Sequence, residues 1–183
     1  MKRSLPNILT LSRGALTFLI LLLFFASFSE KYPLLLILFF LASITDFFDG
    51  YLARKWNVIS DFGMVFDSLI DKVLVLSVFV LLAPLNILPL WMIAILVVRD
   101  LLVDGMKNIL LSRGKPVASF PTGKWKFFFQ ILAIHAVFLA LSIPEAESLT
   151  HIAFFLGMIA LFFALLSGAF YVRLFFREFA FRL

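Results

Sequence analysis

The sequence contains no cysteine, which excludes disulfides, thiolate metal sites and cysteine nucleophiles. Charge is also scarce. Of 183 residues 15% are charged, where a soluble domain carries about a quarter. Hydrophobic residues make up 63%, so a soluble globular domain and a disordered chain are both excluded. Histidine occurs twice, as His135 and His151, and neither lies near the charged clusters; both are read as structural. Acidic residues number 11 against 16 basic ones, a net charge of +5. In a membrane protein such an excess reports topology, so no nucleic-acid partner is expected. There is no internal repeat and no low-complexity segment, and residues 1–183 read as a single domain. What the sequence does have is phenylalanine, 25 of them, which suits helices that face lipid.

Uncharged runs divide the chain. Residues 14–29 form the first. Residues 32–45 form the second, which continues past Asp46, and the polar turn Glu30-Lys31-Tyr32-Pro33 separates the two. The run 73–98 is interrupted by Pro84, Asn86 and Pro89 and reads as two helices joined by a tight turn. Residues 127–144 and 148–172 give a fifth and a sixth helix. A span needs about 20 residues. Several runs are shorter, so their helices must extend into charged positions at one end. All but one of the 16 basic residues (the exception is Lys31) lie at the N-terminus, in 54–72, in 99–126 or at the C-terminal end. The prediction is an all-α integral membrane protein with six transmembrane helices, both termini cytoplasmic, and a short interfacial N-terminal segment. The first run has no small-residue cleavage site before Glu30 and is expected to persist as helix 1.

The expensive residues in such a protein are its carboxylates. Asp46 and Asp49 are spaced i, i+3; Asp67 and Asp71 are spaced i, i+4. On helices each pair shares a face. Four carboxylates at the ends of adjacent helices repel one another and call for cations. Oxygen donors without histidine or cysteine suit hard ions, Mg²⁺ or Mn²⁺, and four aspartates can hold two of them, the arrangement that clamps a phosphoryl or diphosphate centre. Gly50 and Gly63 fit close approach of a ligand or neighbouring helix. Arg54 can reach a phosphate bidentately.

These residues form the pattern D-x₂-D-G-x₂-A-R-x₈-G-x₃-D-x₃-D, matched here by Asp46, Asp49, Gly50, Ala53, Arg54, Gly63, Asp67 and Asp71. In this the chain resembles the CDP-alcohol phosphatidyltransferase family, whose six-helix architecture agrees with the hydropathy. The resemblance implies displacement of CMP from a CDP-linked lipid, usually CDP-diacylglycerol, by an alcohol. It implies that Asp46, Asp49 and Asp67 are chiefly metal ligands. Asp71, a weaker ligand or none, is then the general base. It further implies that Gly50, Ala53 and Arg54 lie against the CDP moiety, that the active site faces the cytoplasm at the cell membrane, and that the protein is a homodimer among membrane lipids.

The acceptor alcohol is read from three further segments. Residues 5–13 resemble the opening of the phosphatidylglycerophosphate synthases within this family. There Asn7 and Thr10 would hydrogen-bond near the nucleotide; the alternative makes Asn7 a helix cap. Arg99 follows a long apolar stretch, and an arginine so placed is a functional-site candidate facing a wet cavity. The alternative pairs it structurally with an acid such as Asp100 or Asp104. Arg99-Asp100, Lys107 and the segment Gly123-Lys124-Trp125-Lys126 also resemble those synthases. The resemblance implies that Arg99, Lys107, Lys124 and Lys126 bind the phosphate of sn-glycerol 3-phosphate. Lys107 stands where arginine is more usual and Phe127 where threonine is more usual, which leaves inositol phosphate or serine as alternative acceptors. A different class of function, a small membrane transporter, would need polar residues through the membrane depth. The outer halves of helices 1, 2, 5 and 6 have almost none.

Overall fold

In the computed structural model the backbone is described for residues 5–56, 61–115, 117, 120–143 and 145–180. Side chains are described for these residues except 5–9, 46–68 and 179–180. The described residues form six α-helices and no strand. They are α1 (Leu5–Phe24), α2 (Lys31–Trp56), α3 (Asp61–Leu82), α4 (Leu90–Ser112), α5 (Pro121–Ser142) and α6 (Glu147–Ala180). A single 3₁₀ turn, Ala83–Leu85, follows α3.

Each boundary has a local cause. Lys31 closes α1 from outside it: its Nζ donates to the Phe24 carbonyl (3.3 Å) and lies 4.9 Å from the Tyr32 ring centroid. A cation is favourable against the carbonyls at a helix C-terminus. The run 73–98 does divide where its prolines fall. Asn86, at φ 57°, takes the left-handed conformation between α3 and α4, and its side chain donates to the Pro84 carbonyl (3.3 Å). Asparagine tolerates that conformation better than most residues. Pro121 opens α5, where its missing N–H costs nothing.

The helices pack as two antiparallel hairpins, α1 with α2 and α5 with α6, the latter pair in the most extensive contact. α3 lies against α1, α4 lies against α6, and α2 meets α5. The shared core includes Ile20, Phe39, Val78, Phe79, Met92, Leu96, Ile134 and Phe138, none exposed. The outward faces are apolar as well: Phe18, Val80, Leu101, Phe155 and Phe162 are all more than half exposed. Pro121–Ser142 and Glu147–Glu178 are each long and apolar enough to cross a membrane.

The helices depart from the hydropathy runs mainly at their ends. Residues 5–13, expected as a separate interfacial segment, are the opening turns of α1 and continuous with the apolar run. Asn7 therefore stands inside a helix that has already begun, which removes its reading as a cap. α1 also stops at Phe24, short of the run's end at 29. α5 begins at Pro121, so Lys124 and Lys126 are helical, and α6 continues to Ala180. At 34 residues α6 is about 51 Å long, well beyond a hydrocarbon core of about 30 Å.

Gly157 brings α6 close to α4. A Cβ at that position would lie 2.7 Å from Met92 Sδ and 3.2 Å from Leu88 Cδ2, and both partners are buried core residues. Replacing Gly157 with leucine overpacks this contact, at an expected cost of about 1–3 kcal/mol. The variant should melt several degrees lower in detergent when followed by tryptophan fluorescence. An unchanged melting temperature would mean that the α4–α6 contact is not close-packed.

Candidate active site

Polar side chains from four helices meet at a cavity of about 270 Å³. α3 contributes Asp71 and Lys72, and α4 contributes Arg99, Asp100, Asp104 and Lys107. α5 adds Gly123, Lys124, Lys126 and Phe127, and α6 adds Tyr171. The four basic residues assigned to an acceptor phosphate (Arg99, Lys107, Lys124, Lys126) thus share one cavity with Asp71, although they come from two helices and Asp71 from a third.

Asp100 is the hub. It is 5% exposed, and Lys126 Nζ donates to both its oxygens, at 2.7 and 2.6 Å. Arg99 Nη1 donates to the same Oδ1 at 2.7 Å. The rest of the Arg99 guanidinium turns to α6, where Nε donates to the Ala164 carbonyl (3.0 Å) and Nη2 to Ser167 Oγ (2.6 Å). Arg99 therefore does pair structurally with an acid, and it lines the cavity as well. On the other wall Lys72 Nζ lies 2.6 Å from Asp104 Oδ2.

The lining carries five cations and three carboxylates, and Arg13, outside the lining, adds a sixth cation. Lys72 is offset by Asp104, and Arg13 pairs with Asp71. One surplus charge then belongs to the Arg99–Asp100–Lys126 trio. The other two belong to Lys107 and Lys124, which make no ion pair among the described residues. Lys124 is exposed, and Lys107 Nζ sits 4.8 Å above the Tyr171 ring. A concave site with unpaired ammonium groups over a partly buried carboxylate suits a small phosphorylated molecule bearing a hydroxyl.

Three residues here escaped the sequence reading. Arg13 is fully buried on α1 and donates to Asp71 Oδ1. It carried a weaker signal than Arg99, because Thr10, Ser12 and Gly14 beside it are polar or small where Arg99 follows a long apolar stretch. Lys72 and Tyr171 carried no such signal, because neither residue type is unusual at its position in the sequence. Thr10 is buried on α1, one turn before Arg13. Asn7, Asp46, Asp49, Gly50, Ala53, Arg54, Gly63 and Asp67 lie outside the described side chains. By helix bounds the first aspartate pair falls on α2 and the second on α3. His135 is structural: its Nδ1 lies 2.8 Å from the Ile131 carbonyl and its ring packs 4.9 Å from Phe39.

Removing Asp100 should be severe. Asp100→Ala leaves Arg99 and Lys126 buried together without their shared anion, and breaking such a cluster costs about 3–5 kcal/mol. The expected result is a large fall in thermal stability in detergent, partly restored by adding Lys126→Met. A single variant as stable as the parent would show that the trio does not hold the helices together.

Comparison with known proteins gives the same direction. The family model for CDP-alcohol phosphatidyltransferase matches residues 3–172. A relative from Bacillus subtilis (strain 168), named CDP-diacylglycerol–glycerol-3-phosphate 3-phosphatidyltransferase, is 34% identical, with 86% of this chain and 91% of the relative covered. A relative of the same name from Rickettsia typhi is 33% identical over 93% of this chain and 96% of its own length. One from Mycoplasma genitalium is 38% identical over 53% of this chain and 41% of its own length. With the family model covering nearly the whole chain and its charged cavity in place, this protein belongs to the CDP-alcohol phosphatidyltransferase family and is an enzyme of that class.

Proposed function

We propose that the enzyme transfers the phosphatidyl group of CDP-diacylglycerol to sn-glycerol 3-phosphate, giving phosphatidylglycerophosphate and CMP. The observation that carries this reading is the pair of unpaired lysines, Lys107 and Lys124, in the cavity that Asp71 lines. A phosphomonoester carries about −1.5 to −2 charge at neutral pH, which two ammonium groups match. Serine has no phosphate and leaves that charge unanswered. The relatives named above carry the corresponding acceptor in their names.

The chemistry is a displacement at the lipid-side phosphorus. The acceptor hydroxyl forms the new P–O bond, the bond to CMP breaks, and CMP leaves with the electron pair. Asp71 takes the hydroxyl proton. Arg13, donating to Asp71 Oδ1, fixes where that carboxylate stands. Lys107 and Lys124 hold the acceptor phosphate, with Arg99 and Lys126 behind them. Arg54, Gly50, Ala53 and Gly63, with Asn7 and Thr10 from α1, are assigned to the CDP-lipid.

The family is generally dependent on divalent metal. Asp71, the one member of the aspartate set with a described side chain, offers carboxylate oxygen to a hard cation and is open to the cavity. Asp46, Asp49, Asp67 and Asp71 would hold two ions, Mg²⁺ or Mn²⁺, which when bound offset the charge of the diphosphate and of the departing CMP. We place all six helices across the cell membrane, with both termini and the cavity on the cytoplasmic side. Lipid then arrives laterally and the polar acceptor from water. Two such chains would form a homodimer.

The test is an acceptor panel. Purified protein in detergent, with CDP-diacylglycerol and Mg²⁺ or Mn²⁺, is offered glycerol 3-phosphate, inositol phosphate and serine separately, and CMP release and lipid product are recorded. Product is expected with glycerol 3-phosphate alone, and chelation of the metal should abolish it. Product with a different alcohol only would overturn the acceptor assignment while leaving the aspartate site. Asp71→Asn should lower kcat by about 10²–10⁴-fold, the usual contribution of a general base, while CDP-diacylglycerol still binds. Normal turnover in that variant would remove Asp71 from the proton transfer.

A further inference from the structure

Cations around the cavity are held in two different ways. Lys72 and Lys126 lean on carboxylates: Asp104 cancels the charge of Lys72, and Asp100, shared with Arg99, offsets part of that of Lys126. Lys107 leans on a ring. Its Nζ lies 4.8 Å from the ring centroid of Tyr171, a residue 3% exposed on α6. A neutral π-face attracts an ammonium without neutralising it. The N–H groups turned away from the ring keep both their hydrogen-bonding capacity and the full positive charge. A lysine on a flexible four-carbon stem is also held in place this way at less entropic cost on binding.

Tyr171 makes a second connection. Its hydroxyl accepts a hydrogen bond from the Phe120 backbone N–H (3.2 Å), and the two rings meet edge to face at 4.9 Å and 67°. Phe120 immediately precedes α5, whose opening turns carry Lys124 and Lys126. One side chain on α6 thus touches the α4 lysine directly and the start of the helix that supplies the other two.

We propose that Tyr171 is the positioning residue for acceptor recognition, holding Lys107 as an uncancelled cation for the acceptor phosphate and setting the start of α5 beside it. This rests on the phosphate-pocket reading above and adds to it the residue through which that pocket is assembled. It also accounts for a lysine where the family more often has arginine, since an ammonium seated on a ring face needs no planar fork.

The experiment is steady-state kinetics of the full chain in detergent, with each substrate varied in turn. Tyr171→Leu should raise the KM for glycerol 3-phosphate about tenfold, because the freed lysine must be ordered again on binding, and the rise should fall on that KM rather than on the KM for CDP-diacylglycerol. Lys107→Met should raise the same KM, and the double variant should exceed Lys107→Met by less than the rise that Tyr171→Leu gives alone, because part of what Tyr171 does runs through Lys107 and the rest through the start of α5. If Tyr171→Leu does not fold, Tyr171→Phe, which loses only the hydroxyl that accepts from the Phe120 N–H, is the baseline, and successive ring fluorines added to it keep the ring's place and weaken the π-face. The acceptor KM should then climb stepwise with fluorination. A flat fluorination series, or equal rises in both KM values, would reduce Tyr171 to a packing residue and overturn the inference. If instead Lys107→Met leaves the acceptor KM unchanged, the phosphate pocket itself is wrong, an outcome distinct from failure of Tyr171 alone.

Discussion

Asp100 is the residue on which the site depends. It is buried where α4, α5 and α6 converge, and it serves two cations at once, Arg99 and Lys126. Burying ions is costly, and the cost is offset only when geometry is good and the remaining donors are satisfied. Here Arg99 meets that condition by donating also to the Ala164 carbonyl and Ser167 Oγ, groups of the neighbouring helix. A Cβ at Gly168 would lie 3.5 Å from Arg99 Cγ, ordinary contact, so the arginine stem lies flat along α6. The ion cluster therefore joins three helices and places the walls of the cavity. Without Asp100 the two cations would repel, and the surface that presents Lys107 and Lys124 would lose its frame.

Much of this was legible in the sequence, for a physical reason in each case. Helix existence follows from hydropathy, and the α3–α4 break follows from Pro84, Asn86 and Pro89. The helix ends were not legible, because counting uncharged residues stops at Lys124 and Lys126 although the backbone hydrogen bonds do not. Asn7 shows the same limit: a good capping residue caps only if the helix starts there, and α1 starts at Leu5. Within the site, residues spaced along one helix could be paired from their numbers. Partners 58 residues apart, such as Arg13 and Asp71, could not, since their meeting depends on α1 packing against α3. Arg99 forms the structural ion pair with Asp100 that its sequence position suggested, and it lines the cavity as well, so the pairing does not take it out of the site.

The arrangement separates charges that build from charges that bind. Arg99, Lys126 and Lys72 are spent wholly or largely on carboxylates, and Arg13 is turned to Asp71. Truncating any of them would leave a partner carboxylate exposed to repulsion or desolvation, so their effects would reach stability before they reached substrate. Lys107 and Lys124 have no such debt, and their charge is available to an anion from outside. The same cavity thus contains residues whose loss should act through folding and residues whose loss should act through affinity. Sequence spacing places all of them in one group, and only their partners distinguish the two kinds.

That distinction also bears on why a membrane enzyme would keep so many ions close together. A bare cationic pocket of five basic side chains would be unstable beside apolar helices, and a fully neutralised one would have nothing to offer a phosphate. Pairing most of the cations and leaving two unpaired satisfies both demands. The two left unpaired are lysines near the helix ends, one exposed and one seated on an aromatic ring, where hydration or a π-face takes the place of a counter-ion. An acceptor phosphate arriving from water exchanges that hydration for direct contacts and supplies the counter-charge that the free pocket lacks.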